Sequence, residues 1–369
     1  MSVPGSPRLE RFARLRHRMA DLGVDVLLLS LGADLPWLTG YEAMPLERLT
    51  MAVVPADDEA TLVVPILEAS RVEEDPAAFS LRAWSEHEDP FAIVSSLVGA
   101  RSRLAISDRA WAAVVLRLQS ALPGATWKAS SVVTSELRAR KDAAEIEALA
   151  AASHAADVVA GQLLRGEIPL VGRTEHEVSA DISRRLIDAG HQRVNFAIVG
   201  SGPNGASPHH EPGARRIEAG ESVVCDFGGT LHGYCSDITR TVWTGTPSSI
   251  EAEVYEVVRV AQQSAVEAAA LGVSCEEVDR AARSVIADAG FGEYFIHRTG
   301  HGIGIEEHED PYIIEGNTNL LEAGHAFSVE PGVYLPGRFG VRIEDIVVAD
   351  GGGPRALNQA DHSLVVVGS

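Results

Sequence analysis

Residues 222–237 read Ser-Val-Val-Cys-Asp-Phe-Gly-Gly-Thr-Leu-His-Gly-Tyr-Cys-Ser-Asp, a stretch with the apolar character of a buried strand. It nevertheless contains two acids, Asp226 and Asp237. An ionised carboxylate inside a strand core costs several kcal/mol unless it is paired or binds a metal. The two aspartates therefore predict partners elsewhere in the chain that share a cation with them.

Three downstream residues are candidates for that partnership. His301 lies in Thr-Gly-His-Gly-Ile-Gly, Glu330 in Phe-Ser-Val-Glu-Pro-Gly-Val-Tyr, and Glu344 in Gly-Val-Arg-Ile-Glu-Asp-Ile-Val-Val. Both glutamates again stand between β-branched or aromatic residues, where an unpaired charge is unfavourable. Two Asp, one His and two Glu form an oxygen-rich set that suits two divalent ions.

The length and composition bound the kind of protein. At 369 residues the chain exceeds the size at which a single hydrophobic core usually stops growing, so we expect two domains. The formal net charge is -21 and no long basic run is present, which argues against a nucleic-acid partner.

The cysteines and the apolar runs indicate the cellular compartment of the protein. The three cysteines show no Cys-x-x-Cys spacing and fit a reducing compartment; we interpret them as small buried residues. The longest N-terminal apolar run, residues 24–31, is interrupted by Asp25 and is too short to span a bilayer. The sequence therefore predicts a cytoplasmic protein with no membrane partner.

The N-terminal part of the chain has the pattern of a small α/β domain. A helix, three strands and a second helix are predicted, in that order, at residues 8–22, 24–30, 49–55, 61–65 and 110–122. We interpret residues 130–140 as a linker and expect domains at 1–135 and 136–369. Nothing in the first domain has catalytic spacing, so we expect it to cover the second and to assemble oligomers, with a homodimer as the expected state.

The second part of the chain repeats itself with an offset of one hundred residues. Residues 174–178 and 274–278 are both capping boxes, and each opens an amphipathic helix that closes on Asp-Ala-Gly. A longer helix precedes each box, at residues 144–164 and 250–271, and strand-like sequence with an acid pair follows. The order predicts two similar halves packed face to face. Chance similarity between two capped Ala-rich helices is the alternative.

The predicted hairpin of the first half aims two acids at one point. Asp226 ends a Val-Val-Cys-Asp strand, and Gly228 and Gly229 are expected to bend the chain. Asp237 then starts the return strand at residues 238–243.

The residue types of the second half favour metal-dependent hydrolysis. Arg342 and Glu344 are two residues apart on a predicted strand and share a face. The guanidinium of Arg342 can therefore support the carboxylate of Glu344. A majority of oxygen ligands favours Mn over a structural zinc site, with Zn, Co and Fe as alternatives. Two bridged ions lower the pKa of a held water toward neutrality and supply hydroxide to attack a carbonyl.

Five motifs in one order resemble the pita-bread metallopeptidases, specifically the proline-directed branch of prolidases and aminopeptidases P. They are Cys-Asp-Phe-Gly-Gly, Tyr-Cys-Ser-Asp-Ile-Thr-Arg-Thr, Gly-His-Gly-Ile-Gly, Val-Glu-Pro-Gly-Val-Tyr and Val-Arg-Ile-Glu-Asp. The resemblance covers nearly the whole chain. It implies an α/β (α+β) fold class, with a creatinase-like N-terminal α/β domain followed by a pseudo-two-fold pita-bread catalytic domain.

The resemblance also implies roles for the site residues. Asp226 and Asp237 bind the first metal, and His301 completes one ion. Glu330 and Glu344 bridge or ligate the pair, and Glu330 also acts as general base or proton shuttle. The complete ligand set argues against creatinase-like members, which share the fold but lack these ligands.

Three further histidines fit the family pattern. His209 matches the His that stabilises the substrate or the tetrahedral intermediate, His308 matches one that contacts the scissile region, and His297 matches a pocket His. Taken singly, each fits a structural histidine better, but the three together at these spacings favour a functional role. We expect His210 and His232 to be exposed to solvent.

Two more residues are candidates for substrate binding. The hydroxyl of Tyr234, three residues before Asp237, is expected near the metals, with plain packing as the alternative. The well-studied prolidases resemble each other in an Arg upstream of the Glu that matches Glu330, which binds the free carboxylate of the substrate. Residues 315–324 contain no Arg, and Arg48 is the candidate substitute; a surface ion pair is the alternative.

The leading hypothesis is an Xaa-Pro dipeptidase acting on small proline-containing peptides. An aminopeptidase P that acts on longer peptides is the closest alternative. A metal-dependent lyase and a non-catalytic binding module on the same fold are more distant ones, and the intact ligand set weakens the module hypothesis.

Overall fold

The computed structural model describes residues 7–368, and the chain divides between Arg138 and Ala139 into two compact units. The helices of the first unit are α1 (Pro7–Leu22), α2 (Asp34–Thr39), α3 (Pro90–Val98), α4 (Ala112–Ala121) and α5 (Ser131–Ala139). Its strands are β1 (Val26–Leu29), β2 (Met51–Pro55), β3 (Ala60–Pro65), β4 (Phe79–Trp84), β5 (Arg103–Ile106) and β6 (Thr126–Ala129). They form one mixed sheet in the order β4-β3-β2-β1-β5-β6.

The sequence patterns of this unit identify most of its elements. The predicted first helix is confirmed as α1, and the predicted hairpin is confirmed by the antiparallel pairing of β2 with β3. The boundary between the two units falls inside the predicted linker at residues 130–140, and most of that segment is helical because Ser131–Ala139 forms α5. Val133 and Leu137, one helical turn apart, are buried, and Arg138 makes an ion pair of 2.9 Å with Asp34. These contacts hold the segment as a helix.

The second unit contains four longer helices and three small sheets within the described residues. The helices are α6 (Ala143–Leu164), α7 (Glu175–Asp188), α8 (Ser249–Ala268) and α9 (Cys275–Asp288). The strands are β7 (Arg193–Ser201), β8 (Ser222–Leu231), β9 (Tyr234–Cys235), β10 (Ile238–Trp243), β11 (Gly300–Gly302), β12 (Glu309–Ile313), β13 (Ala326–Val329), β14 (Gly332–Leu335), β15 (Phe339–Arg342), β16 (Asp345–Val348) and β17 (Arg355–Ala356). One sheet has the order β10-β8-β7 with β9 on β8, a second has the order β12-β11-β13-β16-β17, and β14 pairs with β15.

The internal repeat organises this unit. α7 and α9 both have 14 residues, and each begins with a complete capping box, at Thr174 and Ser274. α6 and α8 precede them as predicted. The buried faces of α6 and α7 pack on the sheet of β7 and β8, and those of α8 and α9 pack on strands of the second half. The predicted order of helix, capped helix and strands is therefore confirmed in both halves.

The two halves meet where β10 approaches the segment between β15 and β16. The backbone N–H of Glu344 donates to the carbonyl of Thr239 at 3.1 Å, and the hydroxyl of Thr241 donates to the carbonyl of Arg342 at 2.9 Å. This seam brings the acids of one half to the acids of the other. Glu344 lies just outside the strands, so the prediction that it shares a strand with Arg342 is wrong.

Gly228 and Gly229 do not bend the chain, which corrects the predicted hairpin geometry. β8 continues through them, with a register irregularity in the facing strand β7, and the turn comes later, at residues 232–233. A Cβ on Gly228 would lie 2.1 Å from the carbonyl oxygen of Ser236. The glycines are therefore needed for the close approach of neighbouring backbone. Thr239 stands opposite Asp226 in the β8–β10 register.

Within residues 7–368, none of the helices combines the length and the apolar character that crossing a membrane requires.

Candidate active site

A cavity of about 350 Å³ lies within the second unit, and both halves contribute to its wall. All five residues that the sequence analysis named as metal ligands line it, together with three of the named histidines and one named arginine. The lining residues are Phe196, Ile198, Pro208, His209, Asp226, Asp237, His297, Arg298, His301, His308, Ile314, Glu330, Arg342 and Glu344. Tertiary folding thus gathers residues that are separated by up to 148 positions in the chain (196 to 344).

A buried cluster of three side chains has the spacing of a metal site. One ligand atom each from Asp237, His301 and Glu344 lies within 4.8 Å of the other two. Nε2 of His301 is 3.8 Å from Oδ2 of Asp237 and 3.3 Å from Oε1 of Glu330. Carboxylate and imidazole groups in this number suit a divalent ion of the Mn, Zn, Co or Fe type.

Two unsatisfied oxygens support a metal at the same place. Oδ1 of Asp226 and Oδ1 of Asp237 are buried and have no hydrogen-bond partner among residues 7–368. A buried acceptor without a partner costs free energy, and for a carboxylate the cost is larger. Since both oxygens belong to residues of one acidic cavity, the side chains present fit a bound cation that would satisfy them.

Burial and mutual repulsion weaken the acidity of this cluster. Burial, with the charges of Glu344, Asp226 and Glu330, raises the pKa of Asp237 well above its ordinary value. Burial and the charges of Glu330 and Asp226 do the same to the pKa of Glu344. Burial also raises the pKa of Glu330 to about 7, with Arg342 opposing the shift. Without a metal, these acids resist ionisation at neutral pH.

These shifts predict how pH acts on the stability of the metal-free protein. A carboxyl whose pKa is higher in the folded than in the unfolded chain keeps a proton that the unfolded chain releases, so rising pH favours unfolding between the two values. For Glu330 the window runs from its ordinary 4.5 to about 7. We expect the Tm of metal-free protein, measured by calorimetry, to fall as pH rises through this window.

Two comparisons isolate the cause of that slope. Glu330→Gln removes one of the raised groups and is expected to flatten the fall of Tm in the same window. Saturating Mn is expected to reverse the slope, because the metal competes with protons for the same carboxylates. A metal-free Tm that rises from pH 5 to pH 7, or a slope that Glu330→Gln leaves unchanged, contradicts the assignment.

The environment of His301 prepares Nε2 as a ligand atom. Nδ1 lies 3.1 Å from the carbonyl oxygen of Gly302, which can only accept, so Nδ1 carries the proton and Nε2 presents a lone pair toward Asp237 and Glu330. Burial and the neighbouring His308 lower the pKa of His301 to about 3. The imidazole is therefore neutral at physiological pH, as a metal ligand must be.

A hydrogen-bond chain behind the cluster fixes Arg342. Nη1 of Arg342 donates to the hydroxyl oxygen of Tyr334 at 2.9 Å, and Nη2 donates to Oδ2 of Asp226. The Tyr334 hydroxyl donates in turn to Nε2 of His297 at 2.8 Å, because Nδ1 of His297 is held by the Arg298 carbonyl at 2.7 Å. Both nitrogens of His297 are thus engaged, and burial lowers its pKa to about 4. Its contribution in this structure is to hold the arginine through the tyrosine.

Thr239 and Tyr334 belong to the site although the sequence reasoning did not single them out. The Thr239 hydroxyl donates to Oε2 of Glu344 at 2.6 Å and accepts from Nε of Arg342 at 3.1 Å. Polar side chains inside strand sequence are the signal that could have identified Thr239. Tyr334 carries no such signal, since a tyrosine in a strand is equally a packing residue.

His209 is positioned by a buried glutamate at the start of α7. Glu175 accepts from the backbone N–H of Ser201 at 2.9 Å and from Nδ2 of Asn204 at 3.0 Å, and lies 2.8 Å from Nε2 of His210. These contacts hold the loop that carries His209 to the cavity. The sequence analysis predicts that His210 is exposed, and this is wrong because His210 is partly buried. His232, in the turn at residues 232–233, is exposed as predicted.

His308 packs against the ligand cluster. Its ring centroid is 4.0 Å from that of His301. Burial, Arg298 and His209 lower the pKa of His308, which keeps the imidazole neutral. A neutral imidazole in this place can donate or accept a hydrogen bond at the edge of the cavity.

The structure does not bring Tyr234 or Arg48 to the cavity lining. The hydroxyl of Tyr234 donates to Oε1 of Glu145 at 2.8 Å, which ties β9 to α6. Arg48 lies in the first unit, where it makes ion pairs of 2.8 Å with Glu47 and with Glu86. The role of Arg48 in substrate binding stays a prediction.

Comparisons with known proteins place both units in described families. Residues 141–350 match Metallopeptidase family M24, and residues 11–140 match the Creatinase/Prolidase N-terminal domain.

Individual relatives align over nearly the whole chain. A probable dipeptidase, PepE, from Mycobacterium tuberculosis is 44% identical over 362 residues, which are 97% of this chain and 96% of the relative. An Xaa-Pro dipeptidase from Lactobacillus helveticus is 34% identical over 368 residues, with 96% and 98% covered. The crystal structure of a prolidase from Thermococcus sibiricus superposes with a TM-score of 0.92 at 37% identity, covering 98% of this chain and all of that one (100%).

Proposed function

The chain belongs to metallopeptidase family M24, and from this membership we propose that it hydrolyses the Xaa-Pro bond of dipeptides at a dinuclear metal centre. That it is a metallopeptidase is established by the family, and so is the fold: a creatinase-like N-terminal domain followed by a pita-bread catalytic domain. The observation that carries the finer proposal is the buried group of Asp237, His301 and Glu344 within 4.8 Å. The unsatisfied oxygens of the two aspartates add to it.

Five side chains would hold the two ions, namely Asp226, Asp237, His301, Glu330 and Glu344. When bound, the ions supply an activated water and polarise the scissile carbonyl. The proposal also gives Glu330 the movement of a proton, because its carboxylate lies within the ligand cluster, with Oε1 3.3 Å from Nε2 of His301.

The remaining polar groups of the cavity would orient the peptide. His209 and His308 can hydrogen-bond the substrate carbonyl, and Arg342 keeps Asp226 in place through a direct contact. Arg342 is fixed before substrate arrives, by its contacts with Asp226, Tyr334 and Thr239, as efficient charge stabilisation requires.

The apolar part of the wall supports a proline substrate. Phe196, Ile198, Pro208 and Ile314 form this part of the lining, and the methylene groups of a proline ring carry no polar atom to be left unsatisfied there. The names of the relatives point the same way, since two of those reported above are an Xaa-Pro dipeptidase and a prolidase.

Three finer features are included in the proposal. Mn is the expected metal, because oxygen ligands form the majority of the set. The cytoplasm is the expected location, and the three buried free cysteines fit its reducing conditions. A homodimer is the expected assembly.

A peptide panel tests the proposal directly. Protein stripped of metal and reloaded separately with Mn, Zn or Co is assayed on Ala-Pro, Ala-Ala, Ala-Pro-Ala and Ala-Pro-amide. We expect Mn to give the highest kcat/KM and Ala-Pro to be preferred over both Ala-Ala and the tripeptide. Preference for Ala-Pro-Ala would identify an aminopeptidase P instead, and hydrolysis of no peptide with any metal would reject the proposal.

A further inference from the structure

The side chain of Arg298 lines the active-site cavity but takes no part in the hydrogen-bond network around the metal ligands, in which only its backbone carbonyl contacts His297. Arg298 lies three residues before His301, immediately ahead of β11, and is half-buried. Arg342, the other arginine of the described lining, donates to Asp226 and Tyr334. No carboxylate among residues 7–368 lies within ion-pair distance of Arg298. An acidic cavity thus presents one cation whose charge has no direct partner in the described chain.

An aromatic ring holds this guanidinium. The guanidinium carbon of Arg298 is 4.5 Å from the ring centroid of Tyr312, which lies on β12. Arg298 lies two residues before β11, which pairs antiparallel with β12, so the arginine approaches a tyrosine of the neighbouring strand. Stacking on an aromatic face orients a guanidinium without consuming its N–H donors. The donors stay available for a planar anion.

Substrate geometry limits where a carboxylate-binding group can be. In an Xaa-Pro dipeptide the carboxylate carbon is two bonds from the scissile nitrogen, about 2.5 Å away. A cation that binds this carboxylate must consequently face the same cavity as the metal ligands. Arg342 is committed to Asp226, and Arg48 belongs to the first unit and is paired with Glu47 and Glu86.

Building on the proposed function, we propose that Arg298 binds the C-terminal carboxylate of the dipeptide and so selects dipeptides over longer peptides. A planar guanidinium matches a carboxylate with two parallel N–H donors. In a longer peptide a neutral amide stands where the carboxylate would be. An amide cannot form an ion pair with the guanidinium, so its interaction with Arg298 is weaker. Arg298 is thus a specificity-determining residue. It lies outside residues 315–324, the region in which the family resemblance predicts the carboxylate-binding arginine.

The test compares Arg298→Met with wild type on Ala-Pro, Ala-Pro-amide and Ala-Pro-Ala, all with Mn-loaded protein. Loss of a charge-assisted contact predicts a decrease of about 10- to 100-fold in kcat/KM for Ala-Pro, mostly through KM. The amide and the tripeptide are expected to change by about twofold or less, since they lack the charge that the contact needs. Arg298→Lys keeps a point charge and is expected to recover part of the loss.

Two other arginines serve as comparisons. Arg338→Met is the matched control, because Arg338 is an exposed arginine over Phe339 at 5.6 Å and does not line the cavity; no selective change is expected. Arg48→Met tests the sequence-based alternative. A loss confined to Ala-Pro in Arg48→Met, and absent from Arg298→Met, overturns the assignment in favour of Arg48.

Other outcomes also separate this inference from the proposed function. An equal loss on all three substrates in Arg298→Met makes Arg298 a general positioning residue, and no loss on any of them removes it from substrate binding; either result overturns the inference alone. Hydrolysis of none of the substrates by wild type rejects the proposed function. Calorimetric titration with Ala-Pro and Ala-Pro-amide then tests the inference. If wild type binds Ala-Pro more tightly than the amide, Arg298→Met must abolish that difference in affinity.

Discussion

Replacing Asp237 with Asn is expected to lower kcat/KM for an Xaa-Pro dipeptide by about three orders of magnitude, which corresponds to about 4 kcal/mol of transition-state stabilisation. Asp237 is buried, one of its oxygens lacks a hydrogen-bond partner among residues 7–368, and the other lies 3.8 Å from Nε2 of His301. A neutral amide keeps the volume but removes the negative charge that a cation requires. The loss should therefore follow metal content.

Metal content is measured together with activity. Equilibrium dialysis against Mn, followed by elemental analysis, is expected to show fewer bound ions in Asp237→Asn than in wild type. Asp350→Asn is the matched control, because Asp350 is exposed in the same unit and lies outside the cavity lining; we expect unchanged activity and metal content. Full activity with a full metal complement in Asp237→Asn would falsify the assignment of Asp237 as a ligand.

Arg342→Met is expected to lower the unfolding free energy of the metal-free protein by about 3–5 kcal/mol, the usual effect of removing one partner of a buried ion pair. The guanidinium is 3% exposed and is the cation in contact with Asp226. It also donates to Tyr334 at 2.9 Å and to Thr239 at 3.1 Å. Its removal leaves a buried carboxylate without its counter-charge and two hydroxyls without a donor.

A double-mutant cycle in urea isolates the ion pair from the rest of that loss. If the destabilisation comes from the orphaned Asp226, then adding Asp226→Asn to Arg342→Met is expected to recover part of the stability. Arg338→Met, at an exposed site, is expected to stay within about 0.5 kcal/mol of wild type. Strictly additive effects of the two substitutions would show that the pair is not coupled.

The candidate ligands could be identified from the sequence because their chemistry conflicts with their surroundings. Asp226, Asp237 and Glu344 are acids in runs of β-branched and apolar residues, and such runs are buried whichever fold they join. The capping boxes at Thr174 and Ser274 are equally local signals, since each is complete within four residues. The types of the candidate ligands follow from such local patterns, and the fold class follows from the family resemblance of the motifs.

The supporting residues depend on distances that no local pattern contains. Tyr334 and Arg298 are ordinary strand and loop residues until β11, β12 and β14 take their register around the cavity. Thr239 meets Glu344 across 105 positions of chain, at a seam between the two halves. These roles arise from strand pairing between distant segments.

The misplaced features of the sequence analysis have the same origin. Gly228 and Gly229 signal close approach of backbone as well as a bend, and only the neighbouring strands decide between these uses. Tyr234 is three residues from Asp237, yet its hydroxyl bonds Glu145 on α6, because β9 ends at Cys235 and packs against α6. The sequence by itself identified the buried acids that need a counter-charge. Tertiary structure decided which groups surround these acids and which arginine of the cavity has no carboxylate partner within residues 7–368, because both depend on the packing of segments far apart in the chain.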